Sequence, residues 1–333
     1  MATKKTIRKP TVKLDSAGWS ALLETKKHDT HVIGPIQRML LAAPADDGSR
    51  RRGVLHPSQI CKPNWCPRES YYEITGAPFN DRPNPSIWLE KAFQDGHVAH
   101  AKWQGWLWDA GMLSGRFECL GCEHRWEDTA PDTCPGCGAQ RHRLRYREVA
   151  VDAVAEYLIY GHADGEIGED GVEVKTIGQG TVRKEAPELW SRFSTRTHDD
   201  HAVMDLEGLW RSIKQPFAVH RTQGHLYGFV RGWTYCYFIY DCKWNAAIKE
   251  FKVKVEKRFI DNVLDRALDV KWAVEKGREP ERPHWAAPTT ATCKDCPFYE
   301  HCWQQQLEQS NGKKPGVRYV RRVTATGADR GAA

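Results

Sequence analysis

The sequence predicts a mixed α/β fold, and three observations carry that expectation. Two β-rich stretches, Val151–Ile167 and Val172–Ile177, flank the turn signal Gly168-Glu169-Asp170-Gly171, the pattern of a tight hairpin. Helical periodicity recurs on either side of them, over Pro85–Gly111, Pro216–Gly232 and Glu256–Lys276. Two aromatic, β-rich stretches, Trp233–Tyr240 and Ala247–Val255, lie between the last two helices. The order helix, hairpin, helix, strands, helix defines the class.

In chain order, residues 1–53 form an N-terminal extension and linker. Short helical patterns fall around Trp19–Glu24 and Ile36–Leu41, and Pro44–Gly53 is the linker. Pro85–Gly111 is strongly helical, with Ile87, Leu89, Phe93, Trp103, Trp106 and Leu107 as apolar landmarks. Gly115–Gln140 is a separate cysteine-rich module. Pro216–Gly232 carries Pro near its first turn and Gly past its end, the usual helix punctuation. Glu256–Lys276 is a long amphipathic helix with Phe259, Val263, Leu264, Ala267 and Val270 on its apolar side. Residues 310–333 form a basic tail expected to be disordered.

The chain has 333 residues, enough for one elaborated domain or two. Its net charge of +6 and pI of about 8.7 lean toward an anionic partner. The excess is partly local: Lys4–Lys9, Arg50–Arg52 and the 313–330 region are basic runs, and together they point to nucleic acid. No apolar stretch follows the basic start, and none approaches the roughly 20 residues of a membrane helix. A cytoplasmic protein of a bacterial or virus-infected bacterial cell is expected, with no membrane partner. Thiols stay reduced there, so the eleven cysteines suggest metal sites before disulfides.

The most informative stretch is Asp164, the turn, and Glu173-Val174-Lys175. Glu-x-Lys also occurs at Glu24/Lys26 and Glu250/Lys252, so the tripeptide alone means nothing. On a strand, however, Glu173 and Lys175 project to one face, and a hairpin brings Asp164 beside them. Two carboxylates supply hard oxygen ligands for Mg²⁺, and an ammonium offsets charge on a phosphate. His100, on the preceding helix, is a candidate ligand for a borderline metal such as Mn²⁺. Gln223 and Tyr227 stand four apart on a predicted helix and so share a face.

Cysteines fall into two groups. Cys119-x2-Cys122-x11-Cys134-x2-Cys137 has paired knuckles, a strong signal for tetrahedral structural Zn²⁺. That module could staple an insertion or touch DNA through Arg116, His124, Arg125, Arg141 and Arg143. Cys293-x2-Cys296-x5-Cys302 needs a fourth thiolate, supplied by Cys66 or by its rival Cys61. Spacing alone leaves Zn²⁺ and an iron–sulfur cluster both open for it. Cys236 and Cys242, on the aromatic stretch, are expected core or edge thiols.

Together these features resemble the PD-(D/E)xK nucleases, specifically RecB-like enzymes. Gly96-x3-His100, Asp164, Glu173-x-Lys175 and Gln223-x3-Tyr227 match that family's motifs in order and spacing, over roughly residues 55–305. Ala163 departs from the Pro in the family's name. The resemblance implies a restriction-endonuclease-like core over 54–309, with 115–140 as an inserted zinc ribbon and 293–302 as a cluster-binding clasp. It implies that His100, Asp164 and Glu173 bind Mg²⁺ or Mn²⁺, with the Val174 carbonyl completing the set. Lys175 becomes the catalytic lysine, Gln223 and Tyr227 position substrate, and Arg68 and Lys243 are candidate phosphate contacts. Cys66-Pro67-Arg68 and the C-terminal cysteine run resemble the [4Fe–4S]-binding pattern of CRISPR-associated exonucleases and AddB-type subunits.

The expected activity is metal-dependent hydrolysis of DNA phosphodiesters, exonucleolytic on single-stranded or end-processed DNA, in recombination, repair or replication. No G-x-x-x-x-G-K-[ST] is present, so the chain would act alone or with a helicase or recombination partner protein. The rival readings are a catalytically silent zinc-ribbon DNA-binding module and a CRISPR adaptation nuclease.

Overall fold

The computed structural model describes residues 32–42, 51–80, 86–196 and 202–304. The pattern at Trp19–Glu24, most of the Pro44–Gly53 linker and the 310–333 tail lie outside them. The chain divides into two compact units, Met1–Asp47 with Asn84–Ala92, and Gly48–Pro83 with Phe93–Ala333. Among the described residues the first unit holds helix α1 (Ile33–Ala42), which covers the pattern expected at Ile36–Leu41, and the first turns of a later helix.

The second unit begins with α2 (Pro57–Ile60) and α3 (Pro67–Thr75), each with Pro at its first turn, and then α4 (Ile87–Asp109) enters from the first unit. Strands β1 (Ser114–Cys119), β2 (Arg125–Thr129), β3 (Leu144–Arg147) and β4 (Val149–Ala153) follow. Next come the turn α5 (Val154–Tyr157), then β5 (Ile159–Ala163), β6 (Gly165–Ile167) and β7 (Asp170–Ile177). After α6 (Gln179–Glu185), α7 (Pro187–Phe193), β8 (Ser194–Arg196), β9 (Ala202–Met204) and α8 (Leu206–Ser212) comes α9 (Ala218–Arg231). The chain continues through β10 (Tyr235–Cys242), β11 (Ile248–Lys254), α10 (Asp261–Lys276) and α11 (Ala291–Lys294).

Among the described residues the main sheet has seven strands in the order β11-β10-β7-β6-β1-β2, with β3 pairing β1. It is mostly antiparallel; β10 runs parallel to β7. A parallel neighbour requires a long crossover, and the chain from α6 to α9 supplies it.

The sheet is covered on both faces. Trp103 and Leu107, four apart on α4, pack on Val172, Val174 and Ile239. On the opposite face Phe238 and Tyr240 are fully buried in the largest apolar cluster. Each such ring contributes about 1.5–3 kcal/mol by leaving water. Gly224 of α9 lies directly on Phe238: a Cβ there would stand 2.3 Å from the ring's Cζ. That close approach brings α9 down onto β7 and β10. Gly232 (φ +76°) ends α9 and Gly277 (φ +62°) ends α10, both left-handed caps that favour glycine.

Three expectations need correction. Val151–Ile167 is not one strand: β4, a helical turn, β5 and β6 share it. Asp152 Oδ1 accepts the Val154 N–H at 3.1 Å and Leu158 turns the chain back with φ +59°, so β4 and β5 pair as a hairpin. Phe259 does not join the apolar side of α10. It lies in a 3₁₀ turn before that helix, 43% exposed, with its ring stacked on His225. The cysteine module does not stop at Gln140, because β1 also pairs with β3 as far as Arg147. The β6–β7 turn forms as expected, with Gly168 at φ +59° and Ile167 paired to Asp170.

Candidate active site

Strand alternation sorts β7 into two faces. Val172 and Val174 meet α4, while Glu173 and Lys175 project to the other side, toward α9. Lys175 Nζ donates to Glu173 Oε2 at 2.6 Å and to Gln223 Oε1 at 3.3 Å. Gln223 Nε2 donates to Tyr227 Oη at 2.8 Å, the i,i+4 relationship on α9. Asp164 sits between β5 and β6. Its Oδ2 accepts the Val174 N–H at 2.6 Å, and its Oδ1 lies 3.0 Å from His100 Nδ1. Gln104, one turn after His100 on α4, donates from Nε2 to the Asp164 carbonyl at 2.9 Å. The six motif residues thus lie in two short hydrogen-bonded chains that meet along β7.

Burial makes these charges strongly interdependent. Glu173 is 1% exposed and Asp164 7%. Burial lifts the Glu173 carboxyl to about 7, against the opposing pull of Lys175. Burial would also lift Asp164, but the hydrogen bond and charge of His100 outweigh it and hold this carboxyl below its ordinary value. His100 moves up in return: burial disfavours its cation, yet the Asp164 contact prevails. Lys175 is held above its usual range because Glu173 and Asp164 together outweigh its burial. These contacts favour its ammonium form.

Ligand atoms of His100, Glu148 and Asp164 all lie within 4.8 Å of one another. Glu148 is not announced by the sequence: it follows the arginine-rich strand β3 and belongs to no motif. Only the three-dimensional pairing of β3 exposes it. Glu173 is outside this trio, its Oε2 taken by Lys175. Of Val174, the N–H is engaged with Asp164.

The four ribbon thiols also converge, all within 4.8 Å of one another, with Cys119–Cys137 and Cys122–Cys134 sulfurs 3.7 Å apart. Tetrahedral Zn²⁺ with bonds of about 2.3 Å sets sulfurs about 3.8 Å apart, so this group can hold a metal such as zinc. Gly121 N–H and Gly136 N–H each point at a sulfur at 3.3 Å. The Gly121 amide, with that of Cys122, draws Cys119 down to about 7, toward the thiolate that binds metal. Of the ribbon's basic residues, Arg125 is engaged by Glu118, and Arg141 pairs with Asp109 and lies over Trp108.

Cys66, Cys293, Cys296 and Cys302 line one pocket that is partly open to solvent. Cys61 is not among its lining residues; it is buried in the cluster of Leu55, Ile60 and Trp65. Arg68 also lines the cavity, 3.2 Å from Glu279 and donating to the Pro280 carbonyl at 2.7 Å. Lys243 follows β10; its N–H bonds the Ile177 carbonyl at 3.0 Å, at the end of β7. Cys236 and Cys242 are buried, as expected. No helix among the described residues is long and apolar enough to cross a membrane.

No protein-family model matches the chain, and no curated protein does. Among solved structures it is similar to the protein SSO0001, at 12% identity over 80% of this chain and 93% of that one, with a TM-score of 0.35. It is also similar to the alkaline exonuclease LHK-Exo from Laribacter hongkongensis, at 10% identity over 72% of this chain and 93% of that one, with a TM-score of 0.37.

Proposed function

We propose that this chain is a divalent-metal-dependent DNA nuclease, most consistent with an exonuclease, whose active site comprises His100, Asp164, Glu173 and Lys175. The observation that carries the reading is the convergence of these residues with Gln223 and Tyr227 into one connected arrangement across α4, β7 and α9. A fortuitous Glu-x-Lys would not bring two further motifs to the same strand.

His100 and Asp164 offer an imidazole and carboxylate oxygens, donors that suit a hard or borderline cation. Such a cation supplies Lewis acidity toward the phosphoryl oxygens and a water of lowered pKa. Asp164 is kept ionised for that role by His100 and the Val174 N–H. Lys175, fixed by Glu173 and Gln223, places a positive charge where the phosphorane develops negative charge. Tyr227 holds the Gln223 amide in orientation through their 2.8 Å bond, so that the substrate-facing edge of α9 is set before DNA arrives.

The four thiols around the C-terminal cavity fit a [4Fe–4S] cluster better than a second zinc. They line one pocket and, unlike the ribbon set, do not fall within 4.8 Å of one another, a wider spacing that suits a cluster. Cys66 is the fourth ligand in this reading, and the cluster ties the start of α3 to the C-terminal segment. The ribbon holds zinc. DNA is the partner, and a helicase or recombination protein would supply unwinding.

The test is a gel assay on anaerobically purified protein with end-labelled single- and double-stranded DNA in Mg²⁺, Mn²⁺ or EDTA. Shortening that requires metal and disappears in Lys175→Ala supports the reading. DNA binding without cleavage would leave the silent binding module in its place.

A further inference from the structure

We propose that Glu148 is a metal ligand of the acidic site, joining His100 and Asp164; the proposal rests on the divalent-cation reading above. Ligands about 2.1 Å from a small cation lie about 3–4.2 Å from each other. The atoms offered by His100, Glu148 and Asp164, all within 4.8 Å, are grouped on that scale with little adjustment needed. Glu173 differs in both respects: its Oε2 is 2.6 Å from Lys175 Nζ, and it is sealed from solvent. Glu148 is exposed, so a cation held there keeps room for waters and a phosphate oxygen.

Neighbouring groups orient the trio. His100 and Gln104 share one face of α4, and Gln104 Nε2 donates to the Asp164 carbonyl at 2.9 Å. One helix face therefore supplies a ligand and braces the backbone of a second.

The cysteine ribbon brings Glu148 to this place. Glu148 directly follows β3, whose residues pair with β1 from Cys119↔Leu144 to Arg116↔Arg147. Strand β1 also pairs with β6 through Ser114↔Glu166, and β6 begins immediately after Asp164. Tyr146 packs closely on β1: a Cβ on Gly115 would stand 3.0 Å from its Oη. Strand β1 lies that close to the ring because it carries glycine there, whereas the tight neighbour of Gly165 is Leu113, 2.9 Å from where a Cβ would stand. The insertion thus contributes a ligand to the site in addition to its own metal.

The experiment titrates Mn²⁺ into the full chain with its thiolate sites loaded, reading free Mn²⁺ by electron paramagnetic resonance. Wild type, Asp164→Asn and Glu148→Gln are compared, with near-ultraviolet circular dichroism to verify that each variant is folded. Binding by wild type, its loss in Asp164→Asn and at least a tenfold weaker affinity in folded Glu148→Gln are expected. If Glu148→Gln binds within twofold of wild type while Asp164→Asn does not, Glu148 is not a ligand and the cation reading stands. If wild type itself binds no Mn²⁺, the cation reading and this inference both fall.

Discussion

Lys175 Nζ lies 3.3 Å from Gln223 Oε1, and this contact joins the central strand β7 to helix α9. The same ammonium is the cationic partner of Glu173, a carboxylate that is 1% exposed. Removing one partner of a buried pair strands the other, which costs about 3–5 kcal/mol. Lys175→Met should therefore lower unfolding free energy by about 3 kcal/mol at pH 8, read by urea denaturation. Adding Glu173→Gln should recover most of the loss. A single variant within 0.5 kcal/mol of wild type would show that the pair is not closed to solvent (a scale set by ordinary surface changes).

Gly224 is the seat of α9 on the sheet. Gly224→Ala places a Cβ 2.3 Å from Phe238 Cζ and 3.0 Å from Cys236 Sγ, and overpacking of this kind costs about 1–3 kcal/mol. The helix must shift outward, carrying Gln223 with it. Stability and cleavage rate should fall together. Gain of stability, as expected for Gly→Ala at an open helix position, would contradict the packing.

His220 gives the fold a dependence on pH. Tyr240 Oη accepts the Phe217 N–H at 2.7 Å and lies 2.6 Å from His220 Nδ1, an arrangement that suits a neutral ring. Burial, with the charges of Lys175 and Lys184, depresses this imidazole to about 3, below its free value of about 6.5. Its contribution is present above pH 6.5 and is lost as pH falls from there toward 3. Since the ring is only partly covered, the loss by pH 5 is about 1–2 kcal/mol. Unfolding measured at pH 7 and pH 5 should show it in wild type and a smaller difference in His220→Gln. Equal slopes would remove His220 as the source.

The ribbon should purify with about one zinc per chain, the stoichiometry of a closed four-thiolate site. Elemental analysis of Cys134→Ser should show that zinc lost while iron at the C-terminal set is retained. Loss of both metals together would contradict two separate thiolate sites.

Much of this was legible from sequence because short-range rules dominate where it mattered. Turn chemistry placed Gly168 between β6 and β7, and a period of two put Glu173 and Lys175 on one face. A period of 3.6 aligned Gln223 with Tyr227. The failures come from long-range pairing and unusual backbone. Leu158 adopts φ +59°, a conformation that no leucine announces, and it splits a continuous β-rich run into a hairpin. Glu148 is an ordinary surface glutamate until β1 pairs with both β3 and β6. The partner that Arg68 takes beside the cysteine pocket, Glu279, lies far along the chain, where no local pattern points to it.

The most direct measurement is the single-turnover cleavage rate of an end-labelled oligonucleotide at saturating Mg²⁺ for wild type, Glu173→Gln and Lys175→Ala. Removing one charge-stabilising group from such a site typically costs about 10²–10³ in rate. Losses of at least that size are expected in both variants, with DNA affinity retained. Cleavage by either variant at the wild-type rate would place the chemistry elsewhere on the molecule.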